Sequence, residues 1–478
     1  MTASSSCCNV ARSLVSETVP ATRAGYRLVA AALAATLMPL NSTMIAVALP
    51  EISVEFDQDP ALVTQGLVTS YLIAAVVLQS PAGKLGDRIG HARMVVAGQI
   101  LVAAGALLGY LAPALWVLIV ARILMAAGSA ALVPSTLALL RQGLPPERRG
   151  RAFGAFGAMM ALSAALGPVV GGELVRAFGW ASVFSANLPV LAISVALGAF
   201  AGRVPTARRD VHPRFDWIGT GLLAGGLTSI ILGLRPDGDH VVLLVVVGVG
   251  LLVPFALWER RVSDPVVAFS LFRSLHFAAG AFLIAVQNLV MYALVFQVPL
   301  IAVALFDLEA RGTGRLLVSM MLAMVVTSPI AGRLTDHLGA RSLAVAGSLV
   351  ALAGIAGLAW IDLTAPGQLV LPMVLLGIGL GLTAPAAQSA SMSAVRVDLA
   401  GMAAGIGSTM RYLGGIVGVA IMSLLLDVHG TRADVVAEHR VLMAVFAGVL
   451  LVGLACAVLL PGRAVAIAHR EGTDQPMT

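Results

Sequence analysis

Apolar stretches of about twenty residues recur along the whole of this sequence. A helix needs roughly 20 mostly apolar residues to cross the hydrocarbon core of a bilayer. Of the residues, 59% are hydrophobic and only 11% are charged, whereas roughly a quarter of a soluble domain is charged. The sequence therefore predicts an all-α membrane protein with about fourteen transmembrane helices. They are expected at 27–49, 61–82, 94–113, 115–138, 151–174, 181–201, 217–234, 240–257, 276–304, 314–332, 342–361, 368–391, 401–426 and 440–460.

The basic residues predict the orientation of these helices. Arg and Lys are retained in cytoplasmic loops of membrane proteins. The loops after the second, fourth and sixth predicted spans are basic, whereas the loops after the first and third contain neither residue. The net charge of +6 is thus explained by membrane topology, and no nucleic-acid partner is expected. We expect a multi-pass protein of the bacterial cytoplasmic membrane, with the tails 1–26 and 461–478 in the cytoplasm.

Two loops share one pattern of residues at corresponding positions. The first follows the second predicted span and contains Gly83, Leu85, Asp87, Arg88, Gly90 and Arg93. The second follows the tenth predicted span and contains Gly332, Asp336, Gly339 and Arg341. An internal repeat of this kind is typical of transporters built from two related halves. We therefore predict six-helix halves at 27–201 and 276–460, joined by a linker and an inserted helix pair at 202–275.

With these loops, the sequence resembles the major facilitator superfamily and, within it, the fourteen-span drug:proton antiporter family. The resemblance implies the major facilitator fold. In that family the Gly-x-Leu-x-Asp-Arg-x-Gly loop locks the two halves together on the cytoplasmic side, and the resemblance assigns this role to Asp87 and Arg88. The alternative is an ordinary helix-linking turn, in which the glycines allow a tight bend and the arginines only set the topology.

The fifth predicted span contains a run that is similar to the antiporter motif Gly-x-x-x-Gly-Pro-x-x-Gly-Gly. It consists of Ser163, in place of the first glycine, with Gly167, Pro168, Gly171 and Gly172. Proline removes a backbone donor from a helix, and small residues allow a neighbouring helix to approach closely. The run predicts a bend or a close helix interface, and the resemblance associates it with export. A well-packed helix without a role in transport is the alternative.

Polar side chains within the predicted spans are candidates for the substrate or proton path, because burying them in a membrane is costly. The candidates are Asn41, Tyr71, Arg122, Gln287, Asn288, Gln297 and Arg411. Arg122 matches the arginine of a family motif that assists proton transfer, although Met125 and Ala126 depart from that motif. Arg411 is expected either to contact substrate or to bind backbone carbonyls. For each amide, the alternative is a structural role in a hydrogen bond between helices.

Asn41 stands where the family commonly has an aspartate. Asparagine does not titrate, so the simplest proton-exchange site of the family is missing. Because Arg122 and Arg411 are the only charges well inside the predicted spans, the path has no obvious negative centre. We therefore expect a preference for neutral, zwitterionic or anionic amphipathic compounds over permanent cations.

The leading functional hypothesis is an efflux transporter of small amphipathic molecules that works by alternating access and is coupled to protons. A transporter of one metabolite without proton antiport is the second hypothesis. A membrane-embedded sensor or enzyme is disfavoured, because the sequence has no His-Glu-x-x-His, no nucleotide-binding Gly-Lys-Ser/Thr loop and no cluster of His or Cys. We accordingly expect no catalytic residues, metal or cofactor. The expected partners are substrate, protons and membrane lipid, and the expected state is a monomer.

Overall fold

A computed structural model describes residues 21–58, 62–63, 65–200, 216–233, 241–262, 265–308, 310–361, 364–426 and 430–462. The regular structure in these residues is helical, and twelve helices are long and apolar enough to cross a membrane. Most of both tails and the loop 201–215 lie outside the described residues. The prediction of an all-α membrane protein is therefore confirmed, whereas the count of fourteen spans is not.

The described residues of the first half form nine helices. They are α1 (Ala21–Ala35), α2 (Leu37–Met44), α3 (Leu49–Glu55), α4 (Ser70–Ile89), α5 (His91–Tyr110), α6 (Leu115–Gly143), α7 (Pro146–Phe178), α8 (Ser182–Ser185) and α9 (Asn187–Phe200). A 3-10 turn at Ile45–Val47 joins α2 to α3, and a π-helical turn at Gln65–Thr69 precedes α4.

The described part of the second half contains six helices, and two shorter apolar helices precede it. The shorter pair is α10 (Trp217–Gly233) and α11 (Val241–Glu259), which lie where the sequence predicts an inserted pair. The second half consists of α12 (Leu275–Phe306), α13 (Ala310–Leu338), α14 (Ala340–Trp360), α15 (Val370–Ser393), α16 (Ala400–Leu425) and α17 (Arg432–Val458).

Glycines bring corresponding helices together in both halves. A Cβ atom built on Gly98 of α5 would lie 2.8 Å from the carbonyl oxygen of Gly128 on α6. In the second half, a Cβ on Gly347 of α14 would lie 2.7 Å from the carbonyl oxygen of Gly379 on α15. Neither site has room for a larger residue, because the two backbones are already in contact. The same packing device thus occurs at equivalent places in the two halves.

The two halves contact each other most extensively through two pairs of helices, α4 with α16 and α7 with α13, and also through α6 with α16 and α7 with α15. Each pair joins one helix of the first half to one helix of the second. The two aspartates of the repeated loops, Asp87 and Asp336, lie at one end of these pairs, which we call the aspartate end. A cavity lies between the halves and is lined by residues of both.

Buried carboxylates anchor the shorter helix pair. Asp216 accepts hydrogen bonds from the backbone N–H of Gly219 at 2.8 Å and from the indole of Trp258 at 3.0 Å. Glu259, at the end of α11, accepts from the backbone N–H of Val266 at 3.1 Å. These bonds place the segment after α11 against the first half, where the Ser80 hydroxyl donates to the Val266 carbonyl at 3.4 Å.

Candidate functional site

Asp87 connects the first half to the start of a helix in the second half. Its Oδ1 accepts from the backbone N–H of Gly401 at 2.8 Å, and its Oδ2 accepts from that of Met402 at 2.7 Å. Both amides lie in the first turn of α16, where helix N–H groups have no intrahelical acceptor. The carboxylate is also favoured by the positive end of the helix dipole. His91 Nε2 lies 3.1 Å from Oδ1 and makes a further contact with the same carboxylate.

Asp336 makes the reciprocal connection from the second half to the first. Its Oδ1 accepts from the backbone N–H of Gly150 at 2.9 Å, and its Oδ2 accepts from that of Arg151 at 3.0 Å. Both amides lie in the second turn of α7. The two aspartates of the internal repeat therefore each bind a helix of the opposite half, and together they close the aspartate end of the bundle.

The glycines of the repeated loops are required by the backbone geometry. Gly90 and Gly339 have φ angles of 97° and 87°, a region that residues with a Cβ rarely adopt. Gly83 packs directly on the backbone of Gly401, and Gly332 packs on that of Gly150. The glycines thus allow the turns and the close approach of the halves that bring each aspartate to its partner helix.

The remaining residues of the two loops make local contacts or pack between the helices. Arg93 donates to the carbonyl of Ile89 at 3.4 Å, and Arg341 donates to that of Leu460 at 2.8 Å within the second half. Leu85 and Arg88 are half-buried. Hydrogen bonds of the two aspartates connect the halves at these loops.

Arg141 is a third connection between the halves. Its guanidinium donates to the carbonyl of Arg396 at 3.2 Å and to that of Val395. From the sequence, the arginines of this loop are expected only to set the topology. A basic residue at the end of a span has the same sequence pattern in both roles, so the sequence alone does not distinguish them.

The central cavity encloses about 1210 Å³, part of it open to solvent. Three of the sequence candidates line it, namely Gln287, Asn288 and Arg411. Five methionines also line it, at positions 160, 291, 320, 321 and 324, together with aromatic rings such as Tyr292 and Tyr412. Among the described lining residues, Arg411 is the only one with a formally charged side chain. A mostly apolar wall with a few polar groups is typical of a small-molecule site.

The proline motif of α7 packs against α2 beside this cavity. Pro168 has no N–H, so the carbonyl of Ala164, four residues earlier, loses its usual helical donor. The hydroxyl of Thr43 donates to that carbonyl at 3.0 Å. Gly167 packs on Thr43 and Gly171 on Met44. The structure therefore shows the close helix interface that the motif predicts.

The other positions of this motif have less contact. A Cβ on Gly172 would have no neighbour within 4 Å, and the side chain of Ser163 is half-buried. Outside the motif, Arg176 pairs with Glu173 at 2.6 Å on an exposed surface, which is the local pair that their spacing predicts. This acid therefore does not reach the cavity.

Arg122, Asn41 and Tyr71 form a separate cluster that is buried inside the first half. Arg122 Nε donates to the carbonyl of Leu67 at 3.1 Å, and its Nη1 donates to that of Asn41 at 3.2 Å. The guanidinium lies 4.1 Å from the centre of the Tyr71 ring, and the Tyr71 hydroxyl donates to the carbonyl of Met38 at 3.0 Å. None of the three cluster side chains lines the described wall of the central cavity.

Gln297 also does not line the described wall of the cavity. Its side chain is fully buried and lies 2.9 Å from His439 Nδ1. The other ring nitrogen of His439 lies 2.9 Å from the carbonyl of Leu358. Gln297 and His439 together therefore join three helices of the second half, which is the structural role given above as the alternative for each amide.

Comparison with known proteins identifies the family. A model described as Major Facilitator Superfamily matches residues 31–419. The chain belongs to the major facilitator superfamily. Like the other members of this superfamily, it is a membrane transporter and not an enzyme. No group of three or more potential metal ligands occurs among the described residues.

Relatives within the superfamily include a drug-resistance protein and a riboflavin transporter. The chain is 34% identical to the MFS-type transporter YvkA of Bacillus subtilis over 84% of its own length and 90% of that protein. It is 30% identical to the puromycin resistance protein pur8 of Streptomyces alboniger, over 88% and 85% of the two chains. It is 27% identical to the riboflavin transporter RibZ of Clostridioides difficile, over 80% and 84%.

The fold is also shared with solved structures of the superfamily. The human organic anion transporter MFSD10 superposes with a TM-score of 0.64, covering 91% of this chain and 98% of that chain. Sequence identity between the two is 15%, so the comparison supports the major facilitator fold and not a shared substrate.

Proposed function

We propose that this transporter exports small amphipathic molecules across the bacterial cytoplasmic membrane by alternating access between its halves. The observation that carries the proposal is the central cavity, which is lined from both halves and lies beside contacts that close one end of the bundle. Its methionine side chains are flexible and polarizable, so they adapt to apolar ligands of different shapes. The relatives that confer drug resistance support export as the direction of transport.

The contacts of Asp87, Asp336 and Arg141 represent the state that is closed at the aspartate end. In our proposal this end faces the cytoplasm, as the basic loops favour, and both termini lie on the same side. Helices α10 and α11 cross the membrane as an inserted pair, which brings the count to fourteen. Opening of the bundle then requires both aspartates to release the helices of the opposite half.

Proton coupling is proposed on the resemblance to the drug:proton antiporter family. Among the described residues that line the cavity there is no carboxylate, so a bound proton is not assigned to the cavity wall. This observation also favours the second candidate, a transporter of one metabolite without proton antiport. The relationship to a riboflavin transporter supports that second candidate.

A deletion strain tests the proposed export. We expect the strain to become more sensitive to some members of a panel of amphipathic drugs, and a plasmid copy of the wild-type gene to restore resistance. An Asp87→Asn copy should restore it poorly at equal membrane abundance. Glu173→Gln is the matched control, because this acid pairs with Arg176 on an exposed surface and takes no part in the described connections between the halves. Unchanged sensitivity to the whole panel, with selective loss of growth on one nutrient, would favour the metabolite transporter.

A further inference from the structure

We infer that the central cavity takes amphipathic molecules that carry a carboxylate or a similar planar anionic group, and that Arg411 binds this group. The inference rests on the export function proposed above and narrows its substrate class. It assigns the anionic group to the guanidinium of α16 and the apolar body of the molecule to the aromatic and methionine wall.

The guanidinium of Arg411 is only weakly engaged by the protein. Its Nη2 lies 3.5 Å from Oε1 of Gln388, at the outer limit of a hydrogen bond. Its Nε is buried and has no hydrogen-bond partner. No carboxylate pairs with Arg411 in the described part of the chain, nor does any backbone carbonyl accept from it there. The structure therefore does not show the carbonyl-bound arginine that the sequence left as an alternative.

A comparison with Arg122 shows what a structural arginine looks like in this protein. Two of the three Arg122 nitrogens donate to carbonyls, the third is buried without a hydrogen-bond partner, and the guanidinium carbon lies 4.1 Å from the centre of the Tyr71 ring. Its side chain is 2% exposed and lies apart from the central cavity. Arg411, in contrast, is half-buried on the cavity wall, and most of its N–H groups have no acceptor in the described protein. This arrangement is expected of a ligand-binding arginine.

An anionic ligand is the occupant that this environment favours. In a low-dielectric setting, a positive charge without a partner is costly, and pairing with an opposite charge recovers part of that cost. Guanidinium presents its donors in a planar fork that matches the two oxygens of a carboxylate. A permanently cationic ligand would instead meet a like charge. The cavity has no described acid to offset that repulsion.

The wall beside Arg411 suits an aromatic body. The rings of Tyr292 and Tyr412 lie 6.3 Å apart and are inclined at 45°, and both line the cavity. Gln287 and Asn288 add amide groups to the same wall. The Asn288 amide nitrogen already donates to the carbonyl of Ile284 at 2.8 Å, so its side-chain oxygen remains available to accept. The cavity thus offers aromatic contact and a few polar groups beside one cation.

Binding of two dyes to the purified full-length protein tests the inference. Fluorescein and pyronin Y share a fused xanthene ring system but carry opposite charges at neutral pH. Each is titrated with the protein in nanodiscs of zwitterionic lipid, and binding is measured by fluorescence anisotropy against empty nanodiscs. We expect fluorescein to bind at least about tenfold more tightly than pyronin Y, because hydrogen bonds to a charged group stabilise a complex by roughly one to two factors of ten.

Substitutions separate the effect of Arg411 from that of the fold. Arg411→Gln should weaken fluorescein binding about 10- to 100-fold without weakening pyronin Y binding. Arg411→Lys should bind fluorescein more tightly than Arg411→Gln but more weakly than the wild type, since lysine keeps the charge but lacks the planar fork. Arg176→Gln is the matched control, because it removes a surface arginine far from the cavity wall. Size-exclusion chromatography checks that each variant is folded, and the comparison of the two dyes on the wild type needs no variant.

The outcomes distinguish this inference from the proposed function. Tighter binding of pyronin Y to the wild type, no binding of fluorescein, or unchanged fluorescein binding by folded Arg411→Gln would each overturn the anionic substrate class. If drug sensitivity of the deletion strain nevertheless changes, the export function stands without it. If fluorescein binds as expected but the deletion strain shows no change, the binding site stands and the export function fails.

Discussion

The conservative substitution Asp87→Asn should open the aspartate end of the bundle. The wild-type carboxylate accepts from the amides of Gly401 and Met402 at 2.8 Å and 2.7 Å, and both amides would otherwise lack a partner in the closed state. An asparagine keeps one oxygen, but it turns an amide N–H toward the other backbone donor. It also loses the charge that favours the positive end of α16 and the contact with His91.

The magnitude follows from these contacts. Losing one hydrogen bond to a charged group costs roughly 1.5–3 kcal/mol, and losing a charge at a helix N-terminus costs about 0.3–1 kcal/mol. The sum, roughly 2–4 kcal/mol, would reduce the ratio of closed to open protein by about 30- to 1000-fold. A shift of this size is large enough to change which state dominates.

Double electron–electron resonance measures this shift directly. Spin labels at Arg93 and Asp398, on a background without native cysteines, report the distance between the halves at the aspartate end. We expect longer distances in Asp87→Asn than in the wild type. A distance distribution identical to that of the wild type would refute the role of Asp87 in holding the two halves together. The repeated loop would then serve only as a turn that sets topology.

The equivalent substitution of Asp336 should have a smaller effect. Gly150 and Arg151 lie in the second turn of α7, where backbone amides already have acceptors within the helix. The amides bound by Asp87 lie in the first turn and have none. Asp336→Asn should therefore lengthen the same label distance less than Asp87→Asn does, and a larger effect at Asp336 would show that the position of the amide in the helix does not matter.

Three further substitutions test other parts of the structure. Thr43→Val should lower the free energy of unfolding by about 1–2 kcal/mol, because the carbonyl of Ala164 loses its donor. A thermal-shift assay in detergent would detect this loss, and an unchanged melting temperature would mean that water replaces the hydroxyl. Glu259→Gln should also lower the melting temperature, since the Glu259 carboxylate binds two backbone amides of the segment after α11. A variant with the melting temperature of the wild type would argue against this role of Glu259. Asn41→Asp should place a titratable carboxylate in the cluster of Arg122, shift the preference toward cations and make ethidium efflux from cells depend on external pH. Strong ethidium export by the wild type would contradict the expected preference against cations.

The contacts of Asp87 and Asp336 show how the internal repeat acts in the folded protein. Each repeated loop carries its aspartate to a helix of the other half, so one sequence element used twice closes a single end of the bundle. The chemistry differs between the two copies because the partner amides lie at different helical positions. This difference makes Asp87 the stronger connection and the better target for altering the conformational balance.

Several features of the protein could be predicted from the sequence because they depend on local composition or spacing. Long apolar stretches have to become helices in a membrane, where each backbone polar group needs a partner within its own segment. The repeated pattern around Asp87 and Asp336 predicted two related halves, and the proline run around Pro168 predicted a close helix interface. These inferences needed no knowledge of which helices are neighbours.

The roles of the polar residues were decided only by the tertiary structure. Arg122 and Arg411 have the same sequence signature, an arginine within an apolar stretch, yet the fold binds one to carbonyls in the first half and exposes the other to the cavity. Gln297 and Asn288 differ in the same way, since one meets His439 and the other faces the cavity. The direction in which a helix presents a side chain, and the partner that it finds there, depend on helix packing between segments far apart in the chain, which the spacing of residues within one span does not encode.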